Sequence, residues 1–209
     1  MKHENKTDNK QSFIAEARRA QITEAAIKTL DEIGYVKASL SQIAERARIS
    51  TALISYHFSD KNDLMNHLLV QLVERANSYI SERVDKKSTS QEKLKEFIEA
   101  SLTYQYTNPI HTIALIEIIF NARTLNDVPY YKFAGDYEEE PAVNLLREIL
   151  RKGQENGEFG RFNIDVIANM IQGAIEQYMV GNTITKKVDL QTYSNELVSI
   201  VSKAVKGNI

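Results

Sequence analysis

Cysteine is absent from the 209-residue chain. That excludes a disulfide framework, a zinc–thiolate site and a thiol nucleophile, and makes a reducing cytoplasm the expected setting. No run of about eighteen apolar residues occurs, so no segment is expected to span a membrane. The opening MKHENKTDNKQ lacks the apolar stretch of a signal peptide, and residues 1–11 are expected to form a flexible tail. Catalytic signatures are missing too. There is no G-x-S-x-G, H-E-x-x-H, E-x-x-H or phosphate-binding loop, and His3, His57, His67 and His111 are scattered without partners at ligand spacing. No enzyme activity, cofactor or metal site is expected.

Excess charge of one sign is also lacking. The formal net charge is −2. Residues 1–61 hold ten Lys/Arg against eight Asp/Glu, and the remainder sixteen against twenty, an asymmetry too small to decide a partner. DNA binding stays open, because a binding face needs positive charge only where it meets phosphates.

Proline stands only at Pro109, Pro129 and Pro141, and glycine is sparse. What fills the chain is helical periodicity, with no convincing alternating strand and no internal repeat. A first helix over about Ser12–Ile33 carries the stripe Ile14, Ala17, Ile22, Ala25, Ala26, Leu30 and Ile33, with Gly34 as its C-cap. A second begins at Ser39, which has capping-box spacing to Gln42. The turn Arg48-Ile49-Ser50 leads to a third, and Asp60 caps a fourth reaching about Val84. The polar stretch DKKSTSQEK marks a break. Further helices are expected near 91–106, 110–124, 138–155, 163–181 and 189–206, about nine in an all-α chain. "IALIEIIF" (113–120) is apolar nearly all round, so that helix is expected to be central.

The second and third helices have the layout of a helix-turn-helix. At roughly 100° per residue, Ile54 and Phe58 share the inward face of the third helix, while Ala52 and Tyr56 point away. Ser55 and Leu53 flank them. The outward face is small at its start and aromatic at its end, as a helix lying in the ~12 Å major groove requires. Tyr56 is expected to donate its hydroxyl to a phosphate, with a half-buried surface tyrosine as the alternative. His57 sits at the edge, available for packing or for a phosphate contact. Lys61 falls in the first turn of the fourth helix, where it strengthens an anion-favouring end. Arg18, Arg19 and Arg48 offer further cations.

The stretch ITEAAIKTLDEIGYVKASLSQIAERARISTALISYHFSDKNDLM resembles the N-terminal domain of TetR-family transcriptional regulators. The likeness rests on Gly34-Tyr35 after the first helix, "SLSQIA", "IS" at the turn, "YHF", and Lys61 before Leu64. "GEF" (157–159) resembles a break common before that family's penultimate helix. The resemblance implies a DNA-binding domain over 12–60 and an effector-binding, dimerising helical domain over 61–209. It implies that Thr51, Ala52, Leu53 and Ser55 face bases or adjoining backbone, and that Tyr56, Lys61 and the helix start at Ser39 hold phosphates; Arg18, Arg48 and His57 are candidates beside them from their own chemistry. Two residues depart from the pattern. Arg48 stands where the family often has glycine, at a turn that needs φ > 0, a cost of about 1 kcal/mol or more. Ser55 stands where it often has an aromatic.

The last two helices carry apolar stripes wider than one buried face needs. Ile167, Ile171, Ile175, Leu197 and Val201 are expected to form a dimer interface, with a deep intramolecular core as the alternative. A pair related by a two-fold axis places its reading helices about 34–36 Å apart, or a multiple of that, on a near-palindromic operator. Tyr104, Glu117, Phe120, Tyr137 and Tyr178 are candidates for an apolar effector pocket with polar tips. Glu117 is costly on an apolar helix unless paired by an effector or by an internal Arg or Tyr, or unless it reaches the surface. The expected function is a dimeric DNA-binding regulator, a repressor released from its operator by a small molecule. The alternatives are a helical adaptor that has lost DNA binding and an all-α enzyme.

Overall fold

A computed structural model describes residues 4–124, 127–132, 141–180 and 185–206. These residues form nine α-helices: α1 Glu4–Lys37, α2 Leu40–Ala47, α3 Thr51–His57, α4 Lys61–Val84, α5 Ser90–Thr107, α6 Pro109–Asn121, α7 Pro141–Glu155, α8 Ile164–Val180 and α9 Leu190–Lys206. Short 3-10 turns lie at Tyr130–Lys132 and Thr185–Lys187, and the described residues include one isolated β-bridge, Arg123 to Pro129, and no strand. None of the helices described is long and apolar enough to cross a membrane. The chain is all-α, as its periodicity predicts.

Two compact units emerge. The first takes the described residues of Met1–Leu72 and Ile110–Ala134, the second those of Val73–Pro109 and Gly135–Ile209. The expected cut at residue 60 does not coincide with this division, because α6 returns its apolar residues to the first unit. Ala114, Ile118 and Ala122 join one core with Ile22, Leu30, Ile43, Ile54, Phe58, Leu64 and Leu68.

Helix α1 differs from expectation at both ends. It starts at Glu4 rather than Ser12, and Ile14 and Ala17 are exposed; of the stripe, Ile22, Ala25, Ala26 and Leu30 are buried and Ile33 is half-buried. Gly34 has φ 73° and ψ 168°. This is not the left-handed cap expected but a region essentially reserved for glycine, and it kinks the chain before a last helical turn. Helix α6 is not buried all round either. Thr112, Ala114 and Ile118 face the core, whereas Ile113 and Phe120 are exposed, Phe120 stacking on Tyr131 at 5.9 Å.

In the second unit α5 packs against α7, α8 and α9. Phe97, Ile98, Leu102, Leu146, Leu150, Ile171, Ile175 and Val201 fill its centre. The "GEF" break earns its residues here. Gly157 has φ 73°, Glu158 accepts the N–H groups of Ser90 and Gln91 at 3.1 Å each, and Phe159 packs on Gly153. Burial raises the Glu158 pKa, but the N–H donors at the start of α5 outweigh it and leave the carboxyl below its ordinary range.

Candidate nucleic-acid interface

Both short helices are set by local capping. Ser39 Oγ accepts Gln42 N–H at 3.3 Å while Gln42 Oε1 accepts Ser39 N–H at 3.0 Å, a reciprocal box opening α2. Ile49 N–H reaches Ala44 O and Arg48 N–H reaches Glu45 O, both at 3.0 Å. This Schellman pattern closes α2 with Arg48 in the left-handed region, φ 55° and ψ 44°. The residue type is unfavourable there, as the sequence comparison with glycine anticipates. Ser50 Oγ then accepts Leu53 N–H at 3.2 Å to open α3.

Helix α3 divides sharply into two faces. Ile54 and Phe58 are buried, while Thr51, Ala52, Ser55 and Tyr56 are exposed and Leu53 is half-buried. Tyr56 is 81% exposed, so its ring and hydroxyl stand clear of the fold. His57 is half-buried, with its ring edge-on to Tyr56 at 5.0 Å. Ser39 and Arg48 are exposed on the same small domain.

The cations are not equivalent. Arg18 is exposed and donates to Gln21 Oε1 at 2.7 Å; Gln21 in turn donates to Ala47 O at 2.8 Å, tying α1 to the end of α2. Arg19 lies 5.7 Å over the Phe58 ring. Arg46 forks onto Glu32 and donates to Thr29 Oγ1 at 3.1 Å, which spends its charge inside the domain. Lys61 is half-buried: its Nζ donates to Tyr35 O at 2.6 Å and sits 4.0 Å from the Tyr35 ring centroid. Burial pulls the Lys61 pKa below its ordinary value. A phosphate reaching Lys61 meets an ammonium already engaged on one side. Gln21 and Arg46 were missed from sequence, since nothing local marks a long polar side chain as a strut.

The expected effector residues fall in different units. Glu117 is engaged in the first unit, where its Oε2 accepts Tyr35 N–H at 2.7 Å, so the internal-pairing alternative describes it. Phe120 is exposed. In the second unit the Tyr104 ring lies tilted 5.4 Å from that of Tyr79, and the Tyr178 ring tilted 4.8 Å from that of Tyr193. Burial pushes the hydroxyl pKa of both Tyr104 and Tyr178 up. Tyr137 lies outside the described residues. A hollow lined by Asn144, Arg147, Glu148, Arg151 and Ile164 contains none of the five.

The expected dimer residues differ in burial. Ile171, Ile175 and Val201 are buried inside the chain's own second unit, and Ile167 and Leu197 are partly buried against them. The large apolar side chains exposed among the described residues of α8 and α9 are Val166, Met170, Val180 and Ile200.

Residues 22–68 match the family model for bacterial regulatory proteins of the tetR family. Over these residues the chain is similar to the N-terminal domain of the TetR family. It is 33% identical over 99 residues to the HTH-type transcriptional regulator BetI of Paraburkholderia phytofirmans, a stretch covering 46% of this chain and 49% of that regulator, so it spans about half the length of that curated relative. The likeness in fold extends further than the likeness in sequence. FadR from Bacillus subtilis, solved in complex with stearoyl-CoA, superposes with a TM-score of 0.75 at 21% identity over 89% of this chain and 98% of that one. The fatty acid degradation regulator FadR from Bacillus halodurans gives 0.76 at 22% identity over 91% and 97%.

Proposed function

We propose that the chain is a dimeric, sequence-specific DNA-binding regulator, a repressor whose hold on a near-palindromic operator is released by a small apolar effector. The carrying observation is the slim, bare face of α3, with Thr51, Ala52, Ser55 and Tyr56 exposed over a buried Ile54. In this reading Thr51, Ala52, Leu53 and Ser55 meet base edges and adjoining backbone. Tyr56, Arg48, Ser39, Arg18, His57 and the remaining donor capacity of Lys61 meet phosphates. Such contacts position the protein on the duplex and set a steep salt dependence.

Dimerisation is supported by a stripe on α8. Val166, Met170, Gly173 and Val180 recur at helical spacing and are all exposed, with nothing within 4 Å of a Cβ built on Gly173. A small residue between larger apolar ones lets a second helix approach closely. The effector reading rests on the half-buried tyrosines Tyr104 and Tyr178 of the second unit, and the likeness to a regulator that binds stearoyl-CoA supports an apolar ligand. Release follows if the effector prefers a conformation with a different spacing of the two DNA-binding heads.

The deciding experiment is a mobility shift on the DNA upstream of the protein's own gene, repeated across salt concentrations. Sequence-selective binding that weakens steeply with salt is the expected result. Binding that is absent at low salt sinks the reading and leaves a helical adaptor.

A further inference from the structure

Tyr35 is held at every polar group it has. Its N–H donates to Glu117 Oε2 at 2.7 Å, its carbonyl accepts Lys61 Nζ at 2.6 Å, and its hydroxyl donates to Asn62 Oδ1 at 3.2 Å. The ring is nearly buried and lies beneath the Lys61 ammonium. The residue before it, Gly34, occupies a backbone region closed to other residues, and a Cβ there would lie 3.3 Å from Glu117 Oε2. Asn121 steadies the glutamate, donating to its carbonyl at 2.9 Å. Helix α6 thus carries one carboxylate, aimed at the kink near the end of α1. The kink matters because Ile54 of α3 shares one core with residues of α1 and α4, and Tyr35 is bonded to the first two residues of α4.

We infer that Glu117 is a positioning residue for DNA binding: by accepting the Tyr35 N–H it fixes the α1 kink and, through Tyr35, holds Lys61 and the start of α4 in register with α3. Glu117 touches no DNA in this arrangement. Its part is to remove conformational freedom from the head before the duplex arrives, so that less ordering is required on binding. A charged acceptor suits this, because a hydrogen bond to a carboxylate is stronger than one to a neutral oxygen. The inference rests on the DNA-binding reading above, and its test separates the two.

The duplex used is one selected from a random library by the wild-type protein. If the wild type selects nothing, the DNA-binding reading fails and the role of Glu117 falls with it. If it does select a site, Glu117→Ala is expected to bind it about tenfold more weakly while remaining folded by circular dichroism at the assay temperature. Glu117→Gln, which keeps an oxygen acceptor at the same reach, is expected to recover most of that loss. Glu117→Asp keeps the charge but withdraws it by one methylene, and is expected to resemble alanine; it serves if the alanine variant does not fold. Wild-type affinity in both the Ala and Asp variants overturns the inference. So does a glutamine variant as weak as alanine, which assigns the effect to charge rather than to the hydrogen bond.

Discussion

Phe159 lies against the bare Cα of Gly153: a Cβ built on the glycine falls 2.0 Å from Phe159 Cδ2. The contact is reinforced along the backbone, where Phe159 N–H donates to Gly153 O at 2.9 Å. Helix α7 therefore keeps a glycine near its end for steric reasons, despite that residue's poor helix propensity. Gly153→Ala is expected to destabilise the second unit by about 1–3 kcal/mol through overpacking. The measurement is chemical denaturation of the full chain. An unchanged or higher stability would mean the Phe159 ring swings aside freely.

The turn between α2 and α3 makes an opposite prediction. Arg48 is held at φ 55° without the freedom of glycine. Replacing it by glycine relieves about 1 kcal/mol of left-handed strain, less what the unfolded chain gains in entropy. Arg48→Gly is expected to equal or slightly exceed the wild type in stability, yet to bind DNA more weakly and with a shallower salt slope, reduced by about one phosphate contact. Stability and affinity moving down together would mean that Arg48 acts only in the fold.

These residues also show what a sequence discloses. Ser39, Gln42 and Ser50 act within a single turn, so helix starts and the helix-turn-helix were legible from spacing alone. Ile54 inward and Tyr56 outward followed from 3.6-residue periodicity. Lys61 to Tyr35 spans 26 residues and Glu117 to Tyr35 spans 82, and no local pattern announces such pairs. Periodicity also says that a face is buried without saying by what. For Ile171, Ile175 and Val201 it leaves a partner and the chain's own core as alternatives, and in the structure their own chain covers them. The open side of α6 was hidden for the same reason: an all-apolar sequence has no polar face to mark the exposed one.

Acid should loosen the second unit through Glu96. Its carboxylate is buried, accepts Arg83 Nε at 2.7 Å and lies 3.1 Å from Lys87 Nζ. Burial alone raises its pKa, but the hydrogen bonds from Lys87 and Arg83 prevail, and the folded value lies below the ordinary 4.5. A depressed folded pKa gives stability that is present above the unfolded value and lost as pH falls through the folded one. Glu96→Gln is expected to cost about 1–2 kcal/mol at neutral pH, with the gap to wild type closing below about pH 4. Urea titrations of both proteins at pH 7 and pH 3.5 provide the check; a constant gap would remove ionisation from the explanation.

On the α3 face, Tyr56→Phe removes one hydroxyl from an exposed ring, and Lys61→Ala removes both a cation and the cap on Tyr35 O. Both are expected to weaken binding to every duplex while leaving the preference among sequences largely intact, since phosphate contacts carry no base information. The tyrosine loss should be about threefold to tenfold, one net hydrogen bond. The lysine loss should be larger, and should come with a stability loss that Tyr56→Phe lacks. If both variants bind as the wild type does, the phosphates are held elsewhere.

The two sides of α8 separate a dimer from a core. Val166 and Val180 are 64% and 57% exposed, and Met170 lies between them on the same stripe. Met170→Glu puts a charge where a second copy is proposed to pack, and in a single chain that charge stays in water at little cost. It is expected to leave the melting temperature of the isolated chain nearly unchanged, to shift the sedimenting species from dimer to monomer, and to lower operator affinity by an order of magnitude or more, because one head then binds without its twin. Ile171→Ala, one residue further along but buried in the chain's own core, is expected to act the other way round. It should cost about 2–5 kcal/mol of stability and leave the association state of the folded fraction alone. If Met170→Glu sediments as the wild type does, the α8 stripe is solvent-facing surface and the second copy must join elsewhere.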